Sequence, residues 1–393
     1  MKGIIAPNIG LINLSTTLML MLFLSFLKVV NSNFLKLMGD FFLLTSLIVI
    51  LFISIFNFRV FLKINKNILF SLLPLLCIGL VYFINTFFSI NPIISLQRSF
   101  LIFLIFFAMS YFYKVGLIDY GSTLRNKLYY LLSIILILIV IYYFINPGFS
   151  NYQSFFLNPN AFGMYTALLF LSLIYLGGKK FKFLIFLIGL FFVYISSSRT
   201  SLLAYISSCA FIYFGYYFYA SKKLYISIIF LLIVFAIAVI YFMAYLDLTS
   251  YNELVRGYTG KNLLSGRNEV WPYVLNLTQQ HPYLGWGGGV NLSDIGFYTF
   301  SSHNFYLHTA LQIGYFGVFL VFVFYVKFWN FILKGKYNRN IYYANGLFIY
   351  LILIQNFEVT LLQNNLAMSV PVLCLISYII GNSLSEKKEI NKL

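Results

Sequence analysis

The chain has 393 residues, 61% of them hydrophobic and only 9% charged, against about 45–50% and about 25% in an ordinary soluble domain. That balance excludes a soluble monomer and asks for a bilayer, in which length counts spans of roughly 20 apolar residues. The formal charge of +17 would suggest nucleic acid in a soluble protein; in a membrane protein it is charge retained on the cytoplasmic face, so no nucleic-acid partner is expected.

The first apolar run, 11–30, is followed by Asn31-Ser32-Asn33 and not by a small-residue cleavage site, which predicts an uncleaved span. Further runs lie at 41–58, 68–88, 99–113, 128–145, 161–177, 181–196, 202–220, 224–246, 303–326, 341–357 and 366–384. Continuous apolar runs of this length exclude the alternation of a barrel. They predict an all-α polytopic membrane protein of about twelve helices, because a helix satisfies its own backbone in lipid. Pro74 should kink the third helix without ending it. The whole chain, 1–393, reads as one integral membrane domain.

With the N-terminus placed in the cytoplasm, 19 of the 26 Lys and Arg residues fall on inside segments, among them Arg59, Lys63, Lys179, Lys180, Lys336 and Arg339. The outside segments hold Lys28, Lys36, Arg98, Arg199, Arg256, Lys261 and Arg267. The bias repeats loop by loop and predicts both termini inside. Cys77, Cys209 and Cys374 sit in apolar runs without metal or redox spacing, so no disulfide or zinc site is implied.

One connection departs from the short-loop pattern. Residues 247–302 separate the ninth and tenth spans on the outer face, and long loops of this kind usually carry function. A short helix is predicted over 266–280, with Ser265 as N-cap, Glu269 in its first turn and Pro272 bending or restarting it. After His281-Pro282, the run Gly285-Trp286-Gly287-Gly288-Gly289 demands unusual φ/ψ or close backbone approach. His303-Asn304 opens the tenth span, inside which Gly314 and Gly317 suit close helix contact. All three histidines, His281, His303 and His308, lie in this stretch. The outer-face acids Asp247, Glu253, Glu269, Asp294 and Glu358 read as solvated charges or helix starts.

Several pieces in this order resemble the O-antigen ligase and Wzy-type polysaccharide polymerase family of bacterial envelope enzymes. They are Asn158-Pro159-Asn160-Ala161-Phe162-Gly163, the Ser-Ser-Ser-Arg199-Thr-Ser stretch, Ser-Gly-Arg267 followed by Trp271, His281-Pro282-Tyr-Leu-Gly285-Trp-Gly287, and His303-Asn304 followed by Gly314-Tyr-Phe-Gly317. Gln312 departs from the pattern, since family members are expected to carry a carboxylate there, and no acid role is carried over to it. The resemblance implies a fold similar to the C-type glycosyltransferases and a glycan donor on undecaprenyl diphosphate. It implies no cofactor, and as pathway partners a flippase and a chain-length regulator. It also implies location in the bacterial cytoplasmic membrane, with the active face periplasmic or extracellular.

The residue chemistry fits that job. Arginine recognises phosphate oxygens bidentately, so Arg199 and Arg267, with Asn304 nearby, are the candidate substrate-binding residues. His303 is the candidate catalytic base, because an imidazole can take a proton from a sugar hydroxyl at neutral pH. His308 is expected to bond within the bundle and His281 to shape its turn. No His/Cys/carboxylate cluster has zinc spacing, so a metal-independent glycosyltransferase is expected. The leading reading is a polymerase joining lipid-linked repeat units of O-antigen, capsule or exopolysaccharide; the alternative is a ligase transferring finished polymer to lipid A core or another acceptor. A lipid-linked oligosaccharide transporter ranks below both, because its pathway would call for ionisable groups near the bilayer midplane.

Overall fold

In lipid a backbone N–H or C=O without a partner costs several kcal/mol, and the apolar runs close their hydrogen bonds internally as helices. The computed structural model describes residues 9–56, 66–119, 123–246, 249–259, 266–296, 301–334, 340–363 and 365–390. The expected N-cap Ser265, the acid Asp247 and the cations Lys2, Arg59, Lys63, Lys261, Lys336, Arg339 and Lys392 lie outside these residues.

The helices in chain order are α1 (Ile9–Leu24, extended by a 3-10 turn over Ser25–Val29), α2 (Asn33–Phe56), α3 (Lys66–Asn85), α4 (Pro92–Ile118) and α5 (Thr123–Ile145). There follow α6 (Pro159–Leu176), α7 (Lys182–Ile195), α8 (Arg199–Tyr213), α9 (Gly215–Ala220) and α10 (Lys222–Tyr245). The long connection holds α11 (Thr249–Thr259), α12 (Arg267–Gln280) and a 3-10 turn over Leu292–Ile295. The chain then returns through α13 (Phe305–Leu333), α14 (Asn340–Ile354) and α15 (Leu366–Ile390). No β-strand forms among the described residues. The protein is an all-α polytopic membrane protein.

Each of the twelve predicted runs coincides with helix, and among the described residues nine helices are long and apolar enough to cross a membrane. Three are not. Helices α7, α8 and α14 have 14, 15 and 15 residues, a rise of about 21–23 Å against a hydrocarbon core of about 30 Å. The run expected over 202–220 is divided at Phe214 into α8 and α9. Helix α3 passes through Pro74 unbroken.

Helix α15 is the central post: its apolar stretch Leu366–Ser385 is wholly buried, and it packs along α4. Helix α14 fills the space between α15 and α8. Helix α10 stands apart, with only Tyr225, Ile229 and Ala236 buried. It is pinned to α13 far from the connection by Tyr225 and Trp329, whose rings stack at 4.5 Å. Each also donates to the other's carbonyl, from Tyr225 Oη at 2.9 Å and Trp329 Nε1 at 3.0 Å.

The connection after α10 is structured. Helix α12 begins after Gly266 at φ +79° and runs through Pro272 without breaking. Its apolar face, Val270, Trp271, Val274 and Leu277, is buried against Leu307 and Leu311 of α13 and the edge of α10. This is the spacing expected of an amphipathic helix lying on a bundle.

Helix α13 is broken at Ile313 and Gly314 (φ +69°, ψ −178°). A β-carbon at Gly314 would lie 2.1 Å from the Tyr283 carbonyl oxygen, and this backbone region is open essentially to glycine alone. The glycine-rich turn supplies the hydrogen bonds lost at the break. Trp286 N–H donates to the Leu311 carbonyl at 2.8 Å, Gly287 N–H to the Gln312 carbonyl at 3.0 Å, and Tyr315 N–H to the Pro282 carbonyl at 2.7 Å. The expectation that Gly314 serves close helix–helix contact is therefore corrected: it opens the helix so that a loop can dock.

Candidate functional site

A cavity of about 380 Å³ opens where the N-terminal ends of α6, α8, α12 and α13 meet. Asn160 comes from the first turn of α6; Ser198, Arg199 and Thr200 from the start of α8; Arg267 from the first position of α12; and His303 from just before α13. Phe357 and Glu358, beyond the end of α14, close one side, and Met243 of α10 closes another. Each helix N-terminus carries about half a positive charge, so four of them around one space favour an anion. The three short helices explain the recess: α7 ends, α8 begins and α14 ends beside this cavity, leaving it sunk between longer neighbours.

The turn between α7 and α8 is held tightly. Ser196 Oγ donates to the Val193 carbonyl at 2.6 Å, and the Ser198 and Ser201 hydroxyls bond at 2.8 Å. Gly163 of α6 admits this turn, because a β-carbon there would fall 2.5 Å from Ser196 Oγ. Thus the serines before Arg199 and the glycine of the Asn-Pro-Asn segment are two halves of one contact. Ser197 (φ +54°) and His303 (φ +49°) are two cavity residues in left-handed backbone. That conformation costs on the order of 1–3 kcal/mol and is characteristic of functional sites.

The His303 segment is anchored from both sides. Trp271 Nε1 of α12 donates to the Ser302 carbonyl at 2.8 Å, and His303 N–H donates to Ser301 Oγ at 3.2 Å. Phe305 N–H donates to the Gln355 carbonyl at 3.0 Å, and Asn304 Nδ2 to the Asn356 carbonyl at 2.9 Å. These two bonds bring the turn after α14 alongside, and Glu358 Oε2 comes to 3.8 Å from His303 Nδ1. The imidazole is 62% exposed and the carboxylate 15%, so the histidine faces the cavity while the acid backs it.

Arg267 leans on the same turn. Its guanidinium lies 5.2 Å above the Phe357 ring and reaches the Phe357 carbonyl from Nη2 at 3.4 Å. Its buried Nε has no hydrogen-bond partner. Burial holds the guanidinium below the ordinary arginine range; Glu358 opposes that shift and Arg199 adds to it. Among the described residues two cations and one carboxylate thus share the cavity, with an unsatisfied donor, an arrangement suited to a polyanionic group.

Of the four residues singled out in the sequence, Arg199, Arg267 and His303 come together here, although 104 positions separate the first from the last. Asn304 does not line the cavity. It is fully buried: Oδ1 accepts from Leu307 N–H at 2.9 Å as the N-cap of α13, and Nδ2 holds the Asn356 carbonyl. Both ends of the amide are occupied, so its place is structural. Asn304→Ala is expected to cost about 1–3 kcal/mol, from the lost cap and the carbonyl left unpaired. Thermal unfolding in detergent would read this as a lowered midpoint, and an unchanged midpoint would contradict the capping role.

His308, buried in α13, meets Gln312, with Nε2 and Nε2 at 3.1 Å. Gln312 in turn bonds Tyr82 Oη at 2.9 Å and the Val290 carbonyl at 3.0 Å. These groups tie the glycine-rich turn to α3 and α13 away from the cavity. The ring of His281 packs 4.4 Å from that of Trp286 at the turn. Glu358, read from the sequence as a solvated charge, is instead a cavity residue. The signal for it is a polar run, Gln355-Asn-Phe-Glu358, set between two apolar segments.

Residues 184–322 match the family model described as O-antigen ligase, a stretch from α7 into α13 that contains Arg199, Arg267 and His303. Asn160 and Glu358 lie outside it. No curated protein matches the chain. The match supports the resemblance to the O-antigen ligase and Wzy-type family, and four of the five motif segments lie within it.

Proposed function

We propose that this chain, whose residues 184–322 carry the O-antigen ligase family signature, is an integral-membrane glycosyltransferase. In this reading it joins glycan repeat units borne on undecaprenyl diphosphate into a surface polysaccharide. The observation that carries the reading is one recessed cavity lined by Arg199, Arg267 and His303 at the converging starts of helices. The cavity end faces outward, as the loop-by-loop charge bias indicates. At the opposite end, Lys334 and Lys127 hold Asn67 and Asn13 at 2.7 and 2.8 Å, the cationic inside face of the same topology.

The diphosphate of the donor occupies the arginine pair, where the unpartnered Nε of Arg267 and the helix starts supply further donors. The Glu358 carboxylate attracts the imidazole proton to Nδ1, which leaves the Nε2 lone pair of His303 free as acceptor. Nε2 then takes the proton of an acceptor sugar hydroxyl. That oxygen attacks the anomeric carbon, a new glycosidic bond forms, and the bond to the diphosphate oxygen breaks with inversion. Undecaprenyl diphosphate leaves with the electron pair, and the two guanidinium groups stabilise the charge developing on it. The reaction needs charge stabilisation and one base, which the two arginines and His303 supply among the described residues of the cavity.

A second reading shares donor, leaving group and cavity: a ligase moving finished polymer onto lipid A core or another acceptor, which the family model's description as O-antigen ligase favours. Removing the gene and resolving the surface glycan by gel separates the two. Single repeat units on the surface acceptor are the expected result for a polymerase. Full-length polymer stranded on undecaprenyl diphosphate would assign a ligase. Unchanged glycan would overturn both.

A further inference from the structure

Among the described residues, four neutral polar side chains line the arginine cavity: Asn160, Ser197, Ser198 and Thr200. Two of them are engaged by the protein itself. Ser197 Oγ accepts from Asn151 N–H at 3.0 Å, and Ser198 Oγ shares a hydrogen bond with Ser201 Oγ at 2.8 Å. Asn160 and Thr200 differ: among the described residues neither side chain makes a hydrogen bond within the protein.

Local structure explains why the amide is left open. An asparagine at a helix start ordinarily caps it, but at α6 that place belongs to Asn158. Its Oδ1 accepts from Ala161 N–H at 2.8 Å, and Pro159 follows at the first turn. The second amide of Asn-Pro-Asn is therefore not needed by the cap. Asn160 stands three residues before Gly163, on the same face of α6. That face meets the turn between α7 and α8, since a β-carbon on Gly163 would fall 2.8 Å from Ser198 Cβ. The amide is thus carried to the edge of the turn that leads into Arg199 and Thr200. Asn160 is exposed and Thr200 half-buried.

A solvated asparagine needs no partner, and exposure alone would carry nothing. The inference comes from placement: an open amide and an open hydroxyl share one cavity with two arginines and an imidazole.

We propose that Asn160 and Thr200 form a sugar subsite, binding hydroxyl groups of the donor's first sugar, the one joined to the diphosphate. The inference rests on the function proposed above. A carboxamide offers N–H donors beside a C=O acceptor, and a threonine hydroxyl both donates and accepts. Sugar hydroxyls, each donor and acceptor in turn, match such neutral groups. The ionised diphosphate oxygens only accept and draw on the guanidinium groups instead. Thr200 follows Arg199 directly, so a sugar held there lies next to the diphosphate. Holding its hydroxyls fixes the ring and presents the anomeric carbon towards His303, a gain in orientation that a bound diphosphate alone does not provide.

The test uses the full-length protein in nanodiscs and two ligands. One is the lipid-linked repeat unit extracted from cells lacking the gene; the other is undecaprenyl methyl diphosphate, which has the donor's charge and no sugar. Asn160→Ala leaves the Asn158 cap in place and puts a strong helix former in the first turn. Thr200→Val keeps the branched shape and removes the hydroxyl. Each is expected to lower kcat/KM for the repeat-unit donor about fivefold, the scale of one neutral hydrogen bond. Inhibition by undecaprenyl methyl diphosphate should stay within about twofold of wild type. Equal losses with both ligands would move the two side chains onto the diphosphate and overturn the sugar subsite, as would no loss with either. The unaltered protein gives a second measurement that no variant's folding can disturb. Undecaprenyl diphosphate carrying the first sugar alone should bind at least about fivefold more tightly than the methyl diphosphate, and equal binding would overturn the subsite. A wild-type protein that transfers no glycan from the extracted donor would instead remove the glycosyltransferase reading, whatever the binding shows.

Discussion

Arg267→Lys is expected to lower glycan transfer about 10²–10³-fold, the range found when one donor to a developing anion is removed, while the protein still inserts and folds. Lysine keeps the charge, so the substitution separates charge from geometry. What is lost is the planar fork that meets two phosphate oxygens at once. The contact over Phe357 and the unsatisfied Nε that no ammonium can replace go with it. The side chain sits at the first position of α12, and the helix is held by Val270, Trp271, Val274 and Leu277, so stability should change little. Arg199→Lys should show the same direction with a smaller loss, because Arg199 is exposed while Arg267 is half-buried, and exposure weakens each charge–charge interaction. Transfer from purified lipid diphosphate in nanodiscs, with membrane insertion checked in parallel, measures both. Activity within about twofold of wild type for Arg267→Lys would remove the diphosphate role, since the bidentate pair is the whole of the argument.

The bundle was readable because a membrane leaves a chain few choices: an apolar run this long becomes a helix whatever its neighbours do. Arg199 and Arg267 were readable for a related reason, since in a chain that is 9% charged an arginine in a Ser/Gly context stands out. What the sequence hid depends on distant pairings. The break at Ile313–Gly314 lies inside an unbroken apolar run, and only the docking of Trp286 and Gly287 on the Leu311 and Gln312 carbonyls makes it tolerable. Glu358 becomes a cavity residue because Phe305 and Asn304 hold the 355–356 turn by its carbonyls. No periodicity records such a bond. Asn304 erred in the other direction, for its place beside His303 suggested substrate, while in space its amide caps a helix. Helix length points to the site as well: α7, α8 and α14 are too short for the bilayer, and each has one end beside the cavity.

His303→Ala is expected to reduce turnover about 10²–10⁴-fold, the usual contribution of a positioned general base, with a much smaller change in KM because the arginines still hold the donor. The more informative variant is Glu358→Gln. If the carboxylate acts by keeping the imidazole proton on Nδ1, 3.8 Å away, it has no work to do once the imidazole is gone. Glu358→Gln alone should then cost about tenfold, comparable with other outer-shell partners of a histidine. The double variant His303→Ala/Glu358→Gln should be no slower than His303→Ala, because residues acting as a unit are non-additive. A double variant slower by the product of the two single losses would mean that Glu358 acts on the substrate by itself. The acid would then be a direct binder of sugar hydroxyls, and the imidazole would be oriented only by its own strained backbone at φ +49°. Single-turnover rates with saturating donor separate these outcomes, since they report the chemical step without lipid release.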